Sequence, residues 1–244
     1  LKHRSIREFT EEPVSTGLFD QIMAVARRTA SSTGMQACSI IRITEQAVKD
    51  QLALVCGQDY VGRAPELLIF VVDQRRNAEI IKESGHDVEH AGDMDKFFQG
   101  FTDACLMAQN VTTALEALGL GSVYLGSILN DPPKTIEILN LPQYTFPVLG
   151  IGFGHPDQDP ELKPRMPMEL RVFENTYQVY DGQYLEKLKT YDEEMTTYYD
   201  LRASNHKTDS FTSQVISKLG GGLAQRKKMM QHIIAQGFDL KLND

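Results

Sequence analysis

Five residues near the start of the chain, His3-Arg4-Ser5-Ile6-Arg7, place four hydrogen-bond donors in one short segment. Crowded guanidinium groups repel one another, and each offers paired N–H groups that match phosphate or carboxylate oxygens. The chemistry they suit is holding an anion, a phosphate being the simplest; a solvated basic turn ahead of a helix is the alternative. A second pair of cations stands far along, in Leu162-Lys163-Pro164-Arg165-Met166-Pro167. Flanking prolines stiffen that backbone, and residues two apart in an extended register share a side, so Lys163 and Arg165 can act together. A proline-rich linker is the plain reading of the same residues.

Three further stretches offer polar groups without an obvious nucleophile. Ala30-Ser31-Ser32-Thr33-Gly34-Met35-Gln36 is small and hydroxyl-rich; it cannot fill a core, but its hydroxyls and amides can bind an anion or the polar edge of a ring. As a simple loop it would need no ligand. Gly57-Gln58-Asp59-Tyr60 reads as a turn exposing an amide and a phenol. Gly119 to Ser127 looks like a dinucleotide fingerprint until the spacing is checked: Tyr124 occupies the place of the third glycine, and the glycines follow a helix instead of a strand. A helix end followed by a short strand fits better, its tip bringing backbone amides close to a flat ligand. Gly150, Gly152 and Gly154 are likewise followed by His155-Pro156, so no phosphate-cradling loop forms there.

The elements that position these groups follow from periodicity. Ser15 caps a helix running to about Thr29, with Phe19, Ile22, Met23, Val25 and Ala26 on its apolar face. Ser39 to Thr44 reads as a strand, a helix follows to about Cys56, and Leu67 to Val72 and Phe146 to Phe153 read as buried strands. Residues 78–98 are polar and weakly periodic, which predicts a mobile helical excursion. His86 and His90 stand four apart, yet no third metal ligand is evident, so no metal is expected. From Phe101 to Leu118 apolar residues cover most of a helix circumference, implying burial in the core or between subunits. Asp131-Pro132-Pro133 opens a short helix. The division expected is a core domain over 1–167 and a helical arm over 168–244 that wraps a surface.

Composition limits the partners. The 244 residues are 41% hydrophobic and 24% charged, ordinary for a globular protein, and the net charge of −8 argues against nucleic acid. The stretch from Arg202 to Lys241 reverses that sign, with seven Lys or Arg against two acids. A solvated helix face accounts for such a run; a loop with Arg202 and Lys207 could instead attract a phosphorylated ligand. Three separated cysteines suggest neither a disulfide framework nor a zinc site, and a reducing, cytoplasmic setting is expected. The longest apolar run, Leu67 to Val72, is far short of the ~20 residues a membrane helix needs.

Taken together, His-Arg-Ser-Ile-Arg, Ser-Ser-Thr-Gly-Met-Gln, Gly-Gln-Asp-Tyr, Gly-Leu-Gly-Ser-Val-Tyr-Leu-Gly-Ser and Leu-Lys-Pro-Arg-Met-Pro, in this order, resemble the FMN-dependent nitroreductase superfamily, in its oxygen-insensitive nitroreductase and NADPH-flavin oxidoreductase group. The resemblance covers nearly the whole chain, including Tyr198 to Asn205. It implies an α+β nitroreductase-like fold, with a central mixed, mainly antiparallel sheet flanked by helices, and a homodimer whose C-terminal extension wraps the partner subunit. By the same resemblance His3, Arg4 and Ser5 hold the FMN phosphate and ribityl chain, Lys163 and Arg165 close on that phosphate, and Arg7 stands near N1 and O2 of the ring, where positive charge favours the anionic reduced flavin. Ser31, Ser32, Thr33 and Gln36 belong to a loop that reaches the partner's flavin, Gln58 and Tyr60 match polar contacts to the ring, and Tyr124, Leu125, Gly126 and Ser127 match a strand end against its face.

Arg202, Lys207 and Arg226 match a basic region linked to the 2'-phosphate of NADPH. The implied activity is ping-pong hydride transfer from NADPH through FMN N5 to nitroaromatics, quinones or free flavin; a non-enzymatic FMN-binding or redox-sensing protein is the competing reading. Three positions depart from the pattern: Gly34 stands where a bulkier apolar residue is frequent, Ser127 replaces a frequent glycine, and Leu129 replaces an arginine.

Overall fold

The run Glu66–Asp73 contains six consecutive aliphatic or aromatic residues, and such a strand is stable only when both faces are covered. In the computed structural model, which describes residues 2–200 and 206–239, it becomes the inner strand of a four-stranded sheet. In chain order the elements of the larger of two compact units are α1 (Thr16–Ala26), a 3-10 turn at Ser32–Gly34, β1 (Cys38–Ile43), α2 (Gln46–Cys56), α3 (Tyr60–Arg63), β2 (Glu66–Asp73), α4 (Arg75–Glu83), α5 (Met94–Ala117), β3 (Gly121–Leu125), a 3-10 turn at Gly126–Asn130, α6 (Pro132–Ile138) and β4 (Thr145–Gly154). This unit comprises Ser5–Gln158 and Leu223–Asp244; the smaller comprises Leu1–Arg4 and Asp159–Gly222.

The strands run in the order β1-β2-β4-β3, each antiparallel to its neighbour. An isolated parallel bridge from Ser5 to Ser122 adds the chain's start beside β3, so the sheet is mixed and mainly antiparallel. Along β2, Leu68, Phe70 and Val72 face a cluster with Ile22, Ala104, Ala108, Val111 and Leu115 from α1 and α5. The alternate residues Leu67, Ile69 and Val71 face Leu52, Cys56, Val61 and Ile128. A period of two thus sorts one strand's side chains into two layers, one per face. The irregularity between Phe70 and Val71 falls where Val71 faces Pro147, whose missing N–H cannot complete a regular ladder.

Two glycines permit close approaches. A β-carbon on Gly100 of α5 would come within 2.8 Å of Ala37 O and Val72 Cγ1, so glycine lets the helix press closely onto the sheet at this point. A β-carbon on Gly121 would meet the Ile6 side chain at 2.8 Å, so glycine lets the N-terminal segment lie against β3.

Several expectations need correction. The helix read from Phe101 begins at Met94; within the single chain Phe98 and Leu106 on it remain 57% and 47% exposed. Residues 78–98 are not a detached excursion. Ala78, Ala91 and Phe97 are buried, and the Phe97 ring lies 5.1 Å from that of Phe238 and 5.7 Å from that of Phe146. The period was obscured because Phe97 sits beside the exposed Phe98. Residues 223–239, with α9 (Ala224–Lys227) and α10 (Met229–Ala235), pack with this unit through Ile233 and Phe238.

In the smaller unit, α7 (Tyr184–Thr197) and α8 (Phe211–Leu219) enclose a separate apolar cluster of Leu188, Tyr191 and Met195 with Met166, Leu170 and Phe211, so this segment has a core of its own. Between the two helices β5 (Tyr199–Asp200) pairs with β6 (His206–Lys207).

Candidate functional site

Within the larger unit, pairing with β3 sets the direction of residues 5–7. Ile6 donates its backbone N–H to Ser122 O at 2.9 Å and buries its side chain, which turns Ser5 and Arg7 away from the core. Arg7 is then fixed at both ends: its backbone N–H donates to Gln158 Oε1 at 2.6 Å, and its guanidinium carbon lies 5.8 Å from the centre of the Tyr60 ring. Its Nε is buried with no hydrogen-bond partner. A buried, unanswered donor on a cation is costly to leave bare, so this atom marks a place for an acceptor.

Tyr60 opens α3 and is 9% exposed, which corrects the expectation of an exposed phenol: the ring supports Arg7 and packs with Val61. Buried Lys49 holds this helix from below, donating Nζ to Ala64 O and Pro65 O at 2.8 Å each. Burial lowers the Lys49 pKa, opposed by nearby Glu66. Gln58 precedes the helix, half-buried, and its Oε1 accepts from Ser127 Oγ at 2.7 Å. The Arg7–Tyr60 and Gln58–Ser127 pairs therefore flank the start of α3.

At the tip of β3, Leu125 is buried and Tyr124 is half-buried with its hydroxyl 3.3 Å from Gln109 Oε1 on α5. Burial pushes the Tyr124 phenol up. Both side chains are thus committed to the protein, leaving backbone and the exposed Gly126 as the groups this strand tip can offer a ligand. Arg226 donates Nε to Asn130 Oδ1 at 3.0 Å and a terminal nitrogen to Gly126 O, bracing the turn.

The hydroxyl-rich loop is held separately. Ser32 and Ala37 donate their backbone N–H groups to the two oxygens of Asp103 at 2.7 and 3.1 Å, while Arg76 reaches Gln36 O and Asn77 donates to Met35 O at 3.2 Å. Thr33, Gly34 and Gln36 all have positive φ, so the loop is a constrained structure whose conformation needs these anchors. It borders a cavity of about 340 Å³ lined by Arg27, Ser31, Gln36, Cys38, Arg76 and Asp103. Asp103 belongs to no sequence motif, and its signal is positional: with Gly100, Ala104 and Ala108 it shares the buried stripe of α5, where an acid requires donors.

In the smaller unit, Arg4 Nε lies 3.7 Å from Asp159 Oδ1 and, like that of Arg7, is buried without a hydrogen bond. His3 and Arg165 are exposed; Lys163 is half-buried, with its Nζ 6.0 Å from the centre of the Tyr198 ring. The positive charge of Arg165 opposes the upward push that burial gives the Tyr191 phenol. Lys207 is placed by its backbone pairing with Tyr199, and Arg202 lies outside the described residues.

A four-stranded sheet between helical layers, with a cationic N-terminal segment threaded beside β3, belongs to a known class. Residues 1–155 match the Nitroreductase family and residues 163–241 the Nitroreductase family, C-terminal domain; the chain belongs to the nitroreductase family. It is 40% identical over 214 residues to the oxygen-insensitive NADPH nitroreductase of Salmonella typhimurium, covering 87% of this chain and 86% of that protein. It is 38% identical to the NADPH-flavin oxidoreductase of Vibrio harveyi, over 98% of this chain and 95% of that one. The solved V. harveyi NADPH:FMN oxidoreductase complexed with NAD+ superimposes with a TM-score of 0.86 at 34% identity, covering 98% and 96% of the two chains. B. megaterium NfrA1 gives 0.89 at 32%, covering 97% and 96%.

Proposed function

We propose that the protein is an NADPH-dependent FMN oxidoreductase that reduces nitroaromatics, quinones or free flavin. When bound, FMN supplies the hydride relay between a reduced nicotinamide and the acceptor. The chain's own tasks are to bind, orient and stabilise charge. Arg7, packed on Tyr60 with an unanswered Nε, supplies the positive charge that favours the reduced ring; the buried Nε of Arg4, with Ser5, His3, Lys163 and Arg165, suits the phosphate and ribityl chain.

The single observation carrying this reading is the buried, unpaired Nε of Arg7, in a chain belonging to a family with flavin oxidoreductases among its members. Gln58, Tyr60 and residues 124–127 frame the ring. Ser31, Ser32, Thr33 and Gln36 serve the partner's ring in a homodimer whose smaller unit wraps the other subunit. Exposed apolar side chains support that assembly: Phe98 and Leu106 on α5, and Leu185, Ile216 and Leu219 on the smaller unit. Arg202, Lys207 and Arg226 take the 2'-phosphate of NADPH. We place the enzyme in the cytoplasm; among the described residues no helix is long and apolar enough to cross a membrane.

The test is the visible spectrum of the purified, FMN-reconstituted protein before and after anaerobic addition of NADPH and then NADH. Bound flavin bleached by NADPH supports the enzyme, while bound flavin that neither nucleotide bleaches returns the reading to a flavin-binding or sensing protein. Turnover with free FMN, a quinone and a nitrofuran ranks the acceptors.

A further inference from the structure

Ser127 is half-buried in the turn after β3, and its hydroxyl is engaged: Oγ donates to Gln58 Oε1 at 2.7 Å. The backbones on both sides of this contact are fixed. Gln58 N–H donates to Ala53 O at 3.2 Å, closing the end of α2 behind Gly57, which takes the left-handed conformation. On the other side Ile128 is fully buried, its carbonyl accepts from Thr135 Oγ1 at 2.6 Å, and Asn130 Nδ2 donates to Cys56 O at 3.2 Å. The Ser127–Gln58 contact is therefore made between two rigid segments and costs little ordering when it forms.

The direction of the hydrogen bond follows from its acceptor: a carboxamide oxygen has no hydrogen to give, so the Ser127 hydroxyl spends its one hydrogen on Gln58 Oε1. A glutamine carboxamide has two ends of opposite hydrogen-bonding character and nearly equal shape, so whichever group claims the oxygen decides what the nitrogen faces.

We propose that Ser127 is a positioning residue that locks the Gln58 carboxamide with its NH2 group presented to the bound flavin. This rests on the FMN reading above, in which Gln58 contacts the ring. With the hydroxyl removed, the carboxamide is free to turn over, and a ligand edge rich in acceptors meets a donor for only part of the time. A donor aimed at such an edge favours added negative charge on the ring, so losing it makes the flavin harder to reduce.

The experiment uses the full-length, FMN-loaded protein as wild type, S127A and S127T, the last restoring the hydroxyl. The readouts are the midpoint potential of the bound flavin by dye equilibration, its visible spectrum, and kcat with NADPH. S127A is expected to retain FMN, to show a more negative potential and an altered spectrum, and to lose about threefold to tenfold in kcat, the worth of one neutral hydrogen bond. S127T is expected to return all three toward wild type. An S127A protein with unchanged potential and spectrum overturns the proposal, as does an S127T protein identical to S127A. A wild-type protein that binds no FMN removes the underlying functional reading as well, and is recognised before any variant is compared.

Discussion

Replacing Asp103 with alanine removes one carboxylate from beneath two backbone donors, and the cost can be worked from their surroundings. Ala37 is buried, at 1% exposure, so its N–H, now 3.1 Å from Oδ2, would be left with no partner and no water. An orphaned buried donor costs about 1–3 kcal/mol. Ser32 is half-buried, so its N–H, 2.7 Å from Oδ1, recovers part of its loss from solvent. Losing the carboxylate also releases the left-handed Thr33 and Gln36, which only the anchored loop enforces. Removal of the carboxylate's own desolvation cost offsets some of this, leaving about 2–4 kcal/mol against the folded state. At roughly 2–4 °C per kcal/mol for a chain of this size, D103A should melt about 4–16 °C lower.

Asp103→Asn keeps one acceptor oxygen and should lose about half as much. Thermal unfolding followed by circular dichroism gives the shift, and amide hydrogen exchange shows where it arises. Faster exchange at Ser32 and Ala37 beyond the global change is expected. A melting temperature within about 1 °C of wild type, with those amides still protected, would refute the assignment of Asp103 as the loop's anchor.

Further outcomes follow from other residues. Arg165→Ala should purify with its FMN largely lost; a variant with full yellow colour would show that this cation does not hold the phosphate. Arg226→Ala frees Asn130 and Gly126 O, and its kinetics separate two roles: a rise in KM for NADPH alone supports a 2'-phosphate contact, while equal changes with NADPH and NADH assign it to bracing the turn. Burial, assisted by the charge of Asp103, pushes the Cys38 thiol up to about 12 from its ordinary 9.0. Its folded pKa lies above its unfolded one, so the stability it contributes is complete below pH 9.0 and lost as the pH rises toward 12. Alkaline urea titrations should show a shallower decline for Cys38→Ala than for wild type, and equal slopes would contradict the shift.

Much of the architecture was legible because it is local. Ser15 does cap α1, its oxygen accepting from Leu18 N–H; Gly57 does follow the end of α2; the helix expected at Asp131-Pro132-Pro133 is α6; and the unbroken run in β2 announced an inner strand. Where partners are distant in sequence the reading failed. Phe97 looked like part of a polar stretch because Phe146 and Phe238, which bury it, lie about fifty and a hundred and forty residues away. The cations of the site were visible by type and clustering. Asp103 and Arg76, which hold the loop between them, were not, since neither belongs to a motif and both act on backbone atoms. Tyr60 was misplaced for a similar reason: whether a turn's phenol meets water depends on what packs against it, here Val61 and the Arg7 guanidinium.

The most direct measurement of the central claim is an anaerobic titration of the FMN-reconstituted protein with NADPH, followed by its absorbance. Flavin that stays with wild-type protein through gel filtration, is bleached by stoichiometric NADPH and regains its colour on adding a quinone is the predicted result. Flavin that elutes separately from intact protein, or stays oxidised under excess NADPH, would contradict it.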